Sequence, residues 1–255
     1  MRNRSLQIIA LLLLFVSAAL FLYPNVSKKA VQAKNDAAVE QFDNNCEEMR
    51  DGDRLQAIED GIISDEGYLL DDDGKIVSNY PVIYREDIEM LYEDSVAYNE
   101  ALKDRQDMDA DFAEAALDLT EYGIHDGIYG YISAPAIGMN LPIYLGASED
   151  NMAWGCTHLM NTSLPLGGED SNTVFAGHTG YFGMIVFDYI PNLNIGDIVS
   201  VTTYFDKLDY RVISKKEITD TYTNDIYIEK GKDLLTLITC ASRGKARYEV
   251  VCERS

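Results

Sequence analysis

A cysteine and a histidine each end an apolar, β-branched run in this sequence. Cys240 closes the run Thr-Leu-Ile-Thr-Cys, and His178 closes Ala-Gly-His about sixty residues upstream. A thiol and an imidazole carried on strands of one core can act together as nucleophile and base. The pair therefore predicts cysteine-dependent catalysis, with Cys240 as the nucleophile and His178 as the general acid and base.

Such chemistry needs a third group, because acyl transfer develops an oxyanion that a forked cation stabilises well. Arg243 and Arg247 both follow Cys240. Alternation in the flanking strands places Arg247 on the outward face that also carries Cys240, whereas Arg243 lies within the connecting loop. We therefore expect Arg247 to bind the oxyanion, and Thr239 to make a weaker contact with the substrate.

The remaining histidines and cysteines have simpler interpretations. His125 lies in a glycine-rich linker and is expected to be exposed. Cys156 and Cys252 fit small buried side chains. Cys46, in a charged segment, is expected to be an incidental thiol.

The N-terminus carries an apolar run from Leu6 to Tyr23, close to the minimum length for crossing a bilayer. Arg2 and Arg4 precede the run, so the N-terminus should stay in the cytosol. The alternative is a cleaved signal peptide, with a poor cleavage site at residues 31–33. We favour an uncleaved anchor over residues 1–28, a single-pass protein of the cell membrane, and an extracellular remainder.

The negative charge is concentrated in the membrane-proximal part of the chain. Residues 36–126 carry 28 acidic and 6 basic side chains, while residues 127–255 carry 15 and 10. This distribution argues against nucleic-acid binding, which needs a basic surface. The sequence has no CxxC and no clustered Cys/His pattern, so we expect neither a metal nor a cofactor.

The elements change from helices to strands along the chain. Helices are predicted over 30–62 and 86–105, with a small hairpin turning at Asp73-Gly74 between them. Residues 29–126 thus form an acidic membrane-proximal region. From residue 127 onward, short strands alternate with turn residues, which predicts a closed barrel or sandwich over 127–255. The predicted strands are 129–133, 141–145, 173–176, 198–203, 210–218, 234–239 and 248–252.

Several segments, in order, resemble one family. They are Tyr-Gly-Tyr-Ile-Ser-Ala-Pro135, Leu-Pro-Ile-Tyr-Leu-Gly146, Asn-Thr-Ser-Leu-Pro-Leu-Gly-Gly168, Ala-Gly-His178, Thr-Leu-Ile-Thr-Cys240 and Arg-Tyr-Glu-Val-Val-Cys-Glu-Arg254. The family is the sortases, and class C is the most similar group. His158 also resembles part of the family's central loop, which implies a structural role for it. Tyr98-Asn99 resembles a helical pattern that precedes the class C barrel.

The resemblance implies an all-β, eight-stranded barrel behind an N-terminal transmembrane helix and an acidic, mainly helical stalk. It also implies a transpeptidase that cuts a Leu-Pro-x-Thr-Gly-like signal on surface or pilin proteins and passes the acyl group to an amine. A pilin lysine is the favoured acceptor, and a peptidoglycan stem amine is the alternative. A barrel that only binds sorting peptides and a hydrolytic cysteine protease are further alternatives.

Two features depart from the class C pattern. Only residues 241–246 separate Cys240 from Arg247, a shorter connection than is usual in that class. The class C lid motif, Asp-Pro-aromatic, has its nearest match in Asp111-Phe112, without the proline. We therefore treat Asp111 and Phe112 as a candidate lid and expect substrate preference to differ near the thiol.

Overall fold

The computed structural model describes residues 2–78, 86–106, 111–179, 186–218, 226–241 and 247–255. Some helix and strand residues, Cys240 and Ala241 among them, are described by their backbone alone. Within these ranges the elements are three helices and eight strands, with short 3-10 turns between them. The helices are α1 (Arg2–Glu59), α2 (Glu86–Asp104) and α3 (Glu149–Trp154).

The apolar N-terminal run and the predicted stalk helix form one continuous helix, α1. Its first part is long and apolar enough to cross a membrane, by length and composition, and none of its most apolar window is buried. Farther along, burial recurs at Asn35, Val39, Phe42 and Cys46, the spacing of one helix face. The expectation for Cys46 was wrong: it packs in the main core, because it lies one turn beyond Phe42 on the same face.

Between α1 and α2 the chain forms the predicted small hairpin. Leu70 bridges Ile76, and the turn is closed by hydrogen bonds between Asp71 and Lys75 and from Gly74 N to Asp71 O. The helix predicted over 86–105 is α2. Ile88 and Leu91 of α2 join the same hydrophobic cluster as the barrel interior, so the acidic region shares a core with the strands.

The eight strands close into a barrel in the order β1-β2-β3-β4-β7-β8-β6-β5, which confirms the expected architecture. Sequence reasoning found seven of them and missed β3, whose three residues are too few to show alternation. The strands are Ile128–Ala134 (β1), Met139–Leu145 (β2), Cys156–His158 (β3), Ser171–Thr179 (β4), Ile198–Thr203 (β5), Lys207–Ile218 (β6), Asp233–Ala241 (β7) and Arg247–Arg254 (β8).

Alternating residues of β7 and β8 fill the barrel interior. Leu235, Leu237, Val250 and Cys252 are fully buried there, as the strand phase predicts. Tyr248 was expected to share this core face, but it is 39% exposed. It lies next to the first residue of β8, at the rim of the barrel, where little packs over it.

Candidate active site

The backbone brings the predicted nucleophile and base side by side. Strands β4 and β7 are parallel neighbours, and their register sets His178 directly across from Cys240. Val174 and Ala176 precede His178 on its face of β4, and Thr236 and Ile238 precede Cys240 on its face of β7. Because the strands are parallel and in register, both reactive residues lie at the same end of the barrel and on the same face.

Strand β8 adds the arginine to this end. It runs antiparallel to β7, with Leu234 opposite Glu253 and Ile238 opposite Glu249. Carrying the same register two residues further sets Arg247 across from Cys240. The rival, Arg243, lies outside the described residues.

His178 is held from behind by the segment that follows β4. Its carbonyl oxygen accepts a hydrogen bond from Phe187 N at 3.0 Å. The preceding Gly177 has no room for a side chain, since a Cβ there would lie 2.7 Å from Val186 Cγ1 and 2.8 Å from the Phe187 ring. Partial burial lowers the pKa of His178, and the nearby charge of Glu149 partly opposes that shift. The imidazole is therefore mainly neutral near pH 7 and can accept a proton.

His158 has different surroundings. Its ring is fully buried in β3, and Nε2 donates towards the carbonyl oxygens of Thr162 at 3.0 Å and Ser163 at 3.1 Å. Burial lowers the pKa of His158 to about 4, although these hydrogen bonds act in the opposite direction. Such an imidazole stays neutral and fixes the 158–163 turn.

The same arrangement of strands is found in known proteins. The family model described as the sortase domain matches residues 132–255. The structure of sortase C2 from pilus island 1 of group B Streptococcus is 31% identical, with a TM-score of 0.60, and the match covers 68% of this chain and 99% of that one. The chain belongs to the sortase family.

Two further sortases extend the comparison. Sortase C of Clostridium perfringens, solved with the C-terminal cell wall sorting motif, is 31% identical with a TM-score of 0.59, and 68% of this chain matches 91% of that one. Sortase A of Bacillus anthracis is 28% identical over 133 residues, which are 52% of this chain and 59% of that protein. The chain thus spans little more than half the length of this curated relative.

Within this sortase barrel, Thr239 links β7 to β8. The side chain is 2% exposed, and its Oγ1 accepts a hydrogen bond from Tyr248 N at 2.8 Å. This contact ties β7 to β8 between Cys240 and Arg247. A direct contact between Thr239 and substrate stays a prediction.

The outward face of the sortase strands is covered by a second hydrophobic cluster. Leu159, Val174, Ala176, Ile226 and Ile238 form it, and Phe112 packs against it with its ring partly buried. The Phe112 carbonyl accepts a hydrogen bond from Ala147 N at 2.8 Å, which fixes this segment beside β2. Asp111 instead points to its own turn, where its Oδ1 accepts a hydrogen bond from Ala113 N at 2.9 Å.

Sequence reasoning placed Glu249 on the outward face, but its burial could not be foreseen. The carboxylate is 1% exposed, and Lys216 Nζ of β6 lies 3.2 Å from its Oε1. It shares a strand face with Arg247, two residues away. Alternation alone does not reveal that this carboxylate, on the strand face of Arg247, is buried.

Proposed function

We propose that this chain is a membrane-anchored cysteine transpeptidase that cleaves a Leu-Pro-x-Thr-Gly-like sorting signal and transfers the acyl group to an amine. The observation that carries the proposal is the register that pairs His178 with Cys240 at one barrel end, with Arg247 reached by extending the β7–β8 pairing. The sorting motif bound to the C. perfringens relative supports a peptide of this class as donor.

The roles follow from the chemistry of each group. Neutral His178 takes the proton of the Cys240 thiol, and the resulting thiolate attacks the scissile carbonyl carbon. Arg247 stabilises the oxyanion while the carbon–nitrogen bond breaks, and His178 returns the proton to the leaving amine. An incoming amine then attacks the thioester carbonyl carbon and gives its proton to His178. As the carbon–sulfur bond breaks, the departing thiolate takes that proton from His178, which restores the thiol.

For the acceptor we propose a lysine of a pilin subunit. The support is the similarity in fold to class C sortases, one of them from a pilus island. A peptidoglycan stem amine is the competing acceptor. Both are primary amines, so the chemistry at Cys240 is the same for either.

One experiment separates these possibilities. The full chain in detergent or nanodiscs is incubated with a sorting-signal peptide and offered a pilin lysine peptide, a stem-peptide amine or water alone. We expect a thioester on Cys240 by mass spectrometry and transfer to the lysine. Transfer to the stem amine would reassign the acceptor, and release of free acid only would indicate a hydrolase. If no acyl-enzyme forms with any sorting peptide, the enzymatic proposal fails.

The arginine assignment has its own matched pair of variants. Arg247→Ala should lower kcat/KM by about 10²–10³-fold, the usual cost of removing an oxyanion donor. Arg243→Ala, four residues earlier in the sequence, should change it little. Steady-state kinetics with one fluorogenic sorting peptide measures both, and the reverse ranking would overturn the assignment.

We also propose that Phe112 is a lid residue. It packs against the second hydrophobic cluster, which includes Ala176 and Ile238, the residues that precede His178 and Cys240 on their strand faces. Phe112→Ala should increase the rate at which a thiol reagent modifies Cys240 several-fold. Leu117→Ala, in the same segment but packed on the main core, is the control. An unchanged rate for Phe112→Ala, or for deletion of residues 107–120, would contradict a lid.

A further inference from the structure

The connection between β6 and β7 joins opposite ends of the barrel. Strand β6 ends at Ile218, which pairs with Arg247, and β7 begins at Asp233, seven residues before Cys240. The connection therefore starts at the barrel end that carries Cys240 and Arg247, and it finishes at the other end. Its described part begins at Ile226.

Ile226 packs on the outward face of the barrel. It is 4% exposed and belongs to the second hydrophobic cluster, together with Val174 and Ala176 of β4 and Ile238 of β7. Ala176 and Ile238 each lie two residues before a member of the catalytic pair, which is about 7 Å along a strand. Ile226 is therefore part of an apolar surface that begins one two-residue repeat away from the reactive residues.

One side-chain amide holds the backbone around Ile226. Gln106 Nε2 donates to the carbonyl oxygen of Ile226 at 3.1 Å, and Gln106 Oε1 accepts a hydrogen bond from Ile228 N at 2.9 Å. The amide thus satisfies one acceptor and one donor two residues apart, as the main chain of a neighbouring strand would. Neither Ile226 nor Ile228 belongs to a strand, so the side chain of Gln106 takes the place of a strand partner.

The same amide also reaches the turn after β3. Gln106 Nε2 donates to the carbonyl oxygen of Asn161 at 3.0 Å. Asn161 in turn donates its backbone N–H to Tyr98 Oη, in α2, at 2.8 Å. Gln106 lies two residues beyond the end of α2. The end of α2, the turn after β3 and residues 226–228 are therefore joined at one side chain.

Asn172 supports the same segment from the barrel. Its Nδ2 donates to the carbonyl oxygen of Tyr227 at 3.0 Å, and its Oδ1 accepts a hydrogen bond from Thr236 Oγ1 at 3.0 Å. Three successive residues of the connection are thus bound by two amide side chains. Asn172 belongs to β4, whereas Gln106 reaches the segment from outside the barrel.

The contacts of Gln106 are separate from those of Phe112. Phe112 lies six residues after Gln106 and packs against the cluster that contains Ile226. When the Phe112 ring moves away, as the lid proposal requires, the cluster becomes accessible to a peptide. The hydrogen bonds to Ile226 and Ile228 do not involve Phe112, so the segment keeps its position.

We propose that Gln106 is a positioning residue for the acyl donor: it holds residues 226–228 as a preformed wall against which the apolar residues ahead of the scissile bond pack. The inference rests on the proposed function and adds to it a residue outside the barrel. A wall that is already ordered reduces the free energy lost to ordering when a peptide binds. Gln106 acts through the backbone of 226–228 and not on the reacting atoms. Its loss should therefore weaken donor binding and leave acylation almost unchanged.

Hydrogen exchange tests whether Gln106 holds the segment. Gln106→Met keeps the length of the side chain and removes its polar atoms. The matched control is Asn99→Leu in α2, because the Asn99 amide makes the same kind of two-bond contact with the backbone of Leu164, at 3.0 and 2.7 Å. In the full chain in detergent, Gln106→Met should speed exchange of the Ile228 amide at least about tenfold. Asn99→Leu should do so at Leu164 and not at Ile228. Unchanged exchange at Ile228 in Gln106→Met would overturn the proposal.

Donor binding is measured in a Cys240→Ala background, where no acyl-enzyme forms. Gln106→Met should raise the Kd of a sorting peptide about fivefold or more, whereas Asn99→Leu should change it less than about twofold. Gln106→Glu keeps an acceptor for Ile228 N but turns its second oxygen towards two carbonyl oxygens, so it should raise the Kd at least as much. With Cys240 present and peptide at saturation, the single-turnover acylation rate of Gln106→Met should stay within about twofold of wild type. A slower rate with an unchanged Kd would contradict a positioning role.

A change in the peptide shows whether Gln106 acts through the apolar wall. Replacing the leucine of the sorting peptide by alanine removes most of the apolar group that packs there. Gln106→Met should then weaken binding of the alanine peptide less than about twofold, so that the two changes are not additive. Additive losses would mean that Gln106 acts on another part of the peptide, and they would contradict the proposal.

Failure of this proposal differs from failure of the proposed function. If the wild-type chain forms no acyl-enzyme with any sorting peptide, the proposed function fails, and the donor role of Gln106 fails with it. If the wild type is acylated and Gln106→Met in the Cys240→Ala background binds the peptide as tightly as that background alone, the proposed function stands and the positioning role is wrong.

Discussion

The two histidines on neighbouring strands of the barrel show how packing divides similar residues between structure and chemistry. His158 of β3 is fully buried with two carbonyl partners, and its pKa is about 4. His178 lies near the end of β4 and is half-buried; burial lowers its pKa, and the charge of Glu149 raises it. The same side chain is sealed in the core at one position and partly accessible at the rim at the other. His158 also ends its strand, but it lies beside Phe175 in the middle of β4, so burial and not position within its own strand separates the two.

The largest expected difference is between His178→Gln and His158→Gln. Loss of the acid and base should lower kcat/KM by about 10²–10⁴-fold for His178→Gln, with an unchanged urea midpoint. His158→Gln should instead lower the free energy of unfolding by about 1–3 kcal/mol and leave kcat/KM at pH 7 within a few-fold of wild type. A folded His158→Gln protein that forms no acyl-enzyme would contradict the assignment of a purely structural role to His158.

Acid sensitivity gives the next largest effect. The pKa of His158 falls from 6.5 to about 4 on folding. Between these values the unfolded chain binds a proton that the folded chain does not, so stability falls as pH drops from above 6.5 towards 4. This group alone accounts for about 3 kcal/mol. Urea unfolding of wild type and His158→Gln at pH 7 and pH 5 should show a smaller loss in the variant, and an equal loss would contradict this assignment.

The smallest effect concerns the charge that acts on His178. Glu149 raises the pKa of His178 against the lowering caused by burial. Glu149→Gln should therefore lower that pKa further, as followed by NMR titration of the imidazole. Asp150→Asn, the exposed neighbour in α3, is the control and should change it less. A rise in the Glu149→Gln variant would mean that another charge governs His178.

Much of the barrel could be predicted because its strands alternate cleanly. The burial of Leu235, Leu237, Val250 and Cys252 follows from period-two spacing within each strand. The pairing of His178 with Cys240 does not, because it depends on β4 and β7 being neighbours across a crossover of more than fifty residues. From the sequence, only the resemblance to the family indicated that β4 and β7 are neighbours.

The parts that sequence reasoning missed share a tertiary cause. Cys46 looked incidental in its charged surroundings, yet it packs in the main core together with Phe42. Glu249 lies on the outward face as alternation predicts, yet Lys216 and neighbouring strands bury it. In both cases the residue is buried by an element that is distant in sequence, so the local pattern of polar and apolar residues cannot predict the burial.

Gly177 also matters to anyone wishing to alter this protein's specificity. Val186 and Phe187 occupy the space that a side chain at position 177 would need. The residue before His178 is therefore a glycine because of the available volume and not because of the reaction. A directed-evolution library should therefore keep position 177 fixed and vary it only together with 186 and 187. Otherwise, many variants would be inactive because strand β4, which carries His178, is displaced. Their loss of activity would then be attributed wrongly to a change in the chemistry of the site.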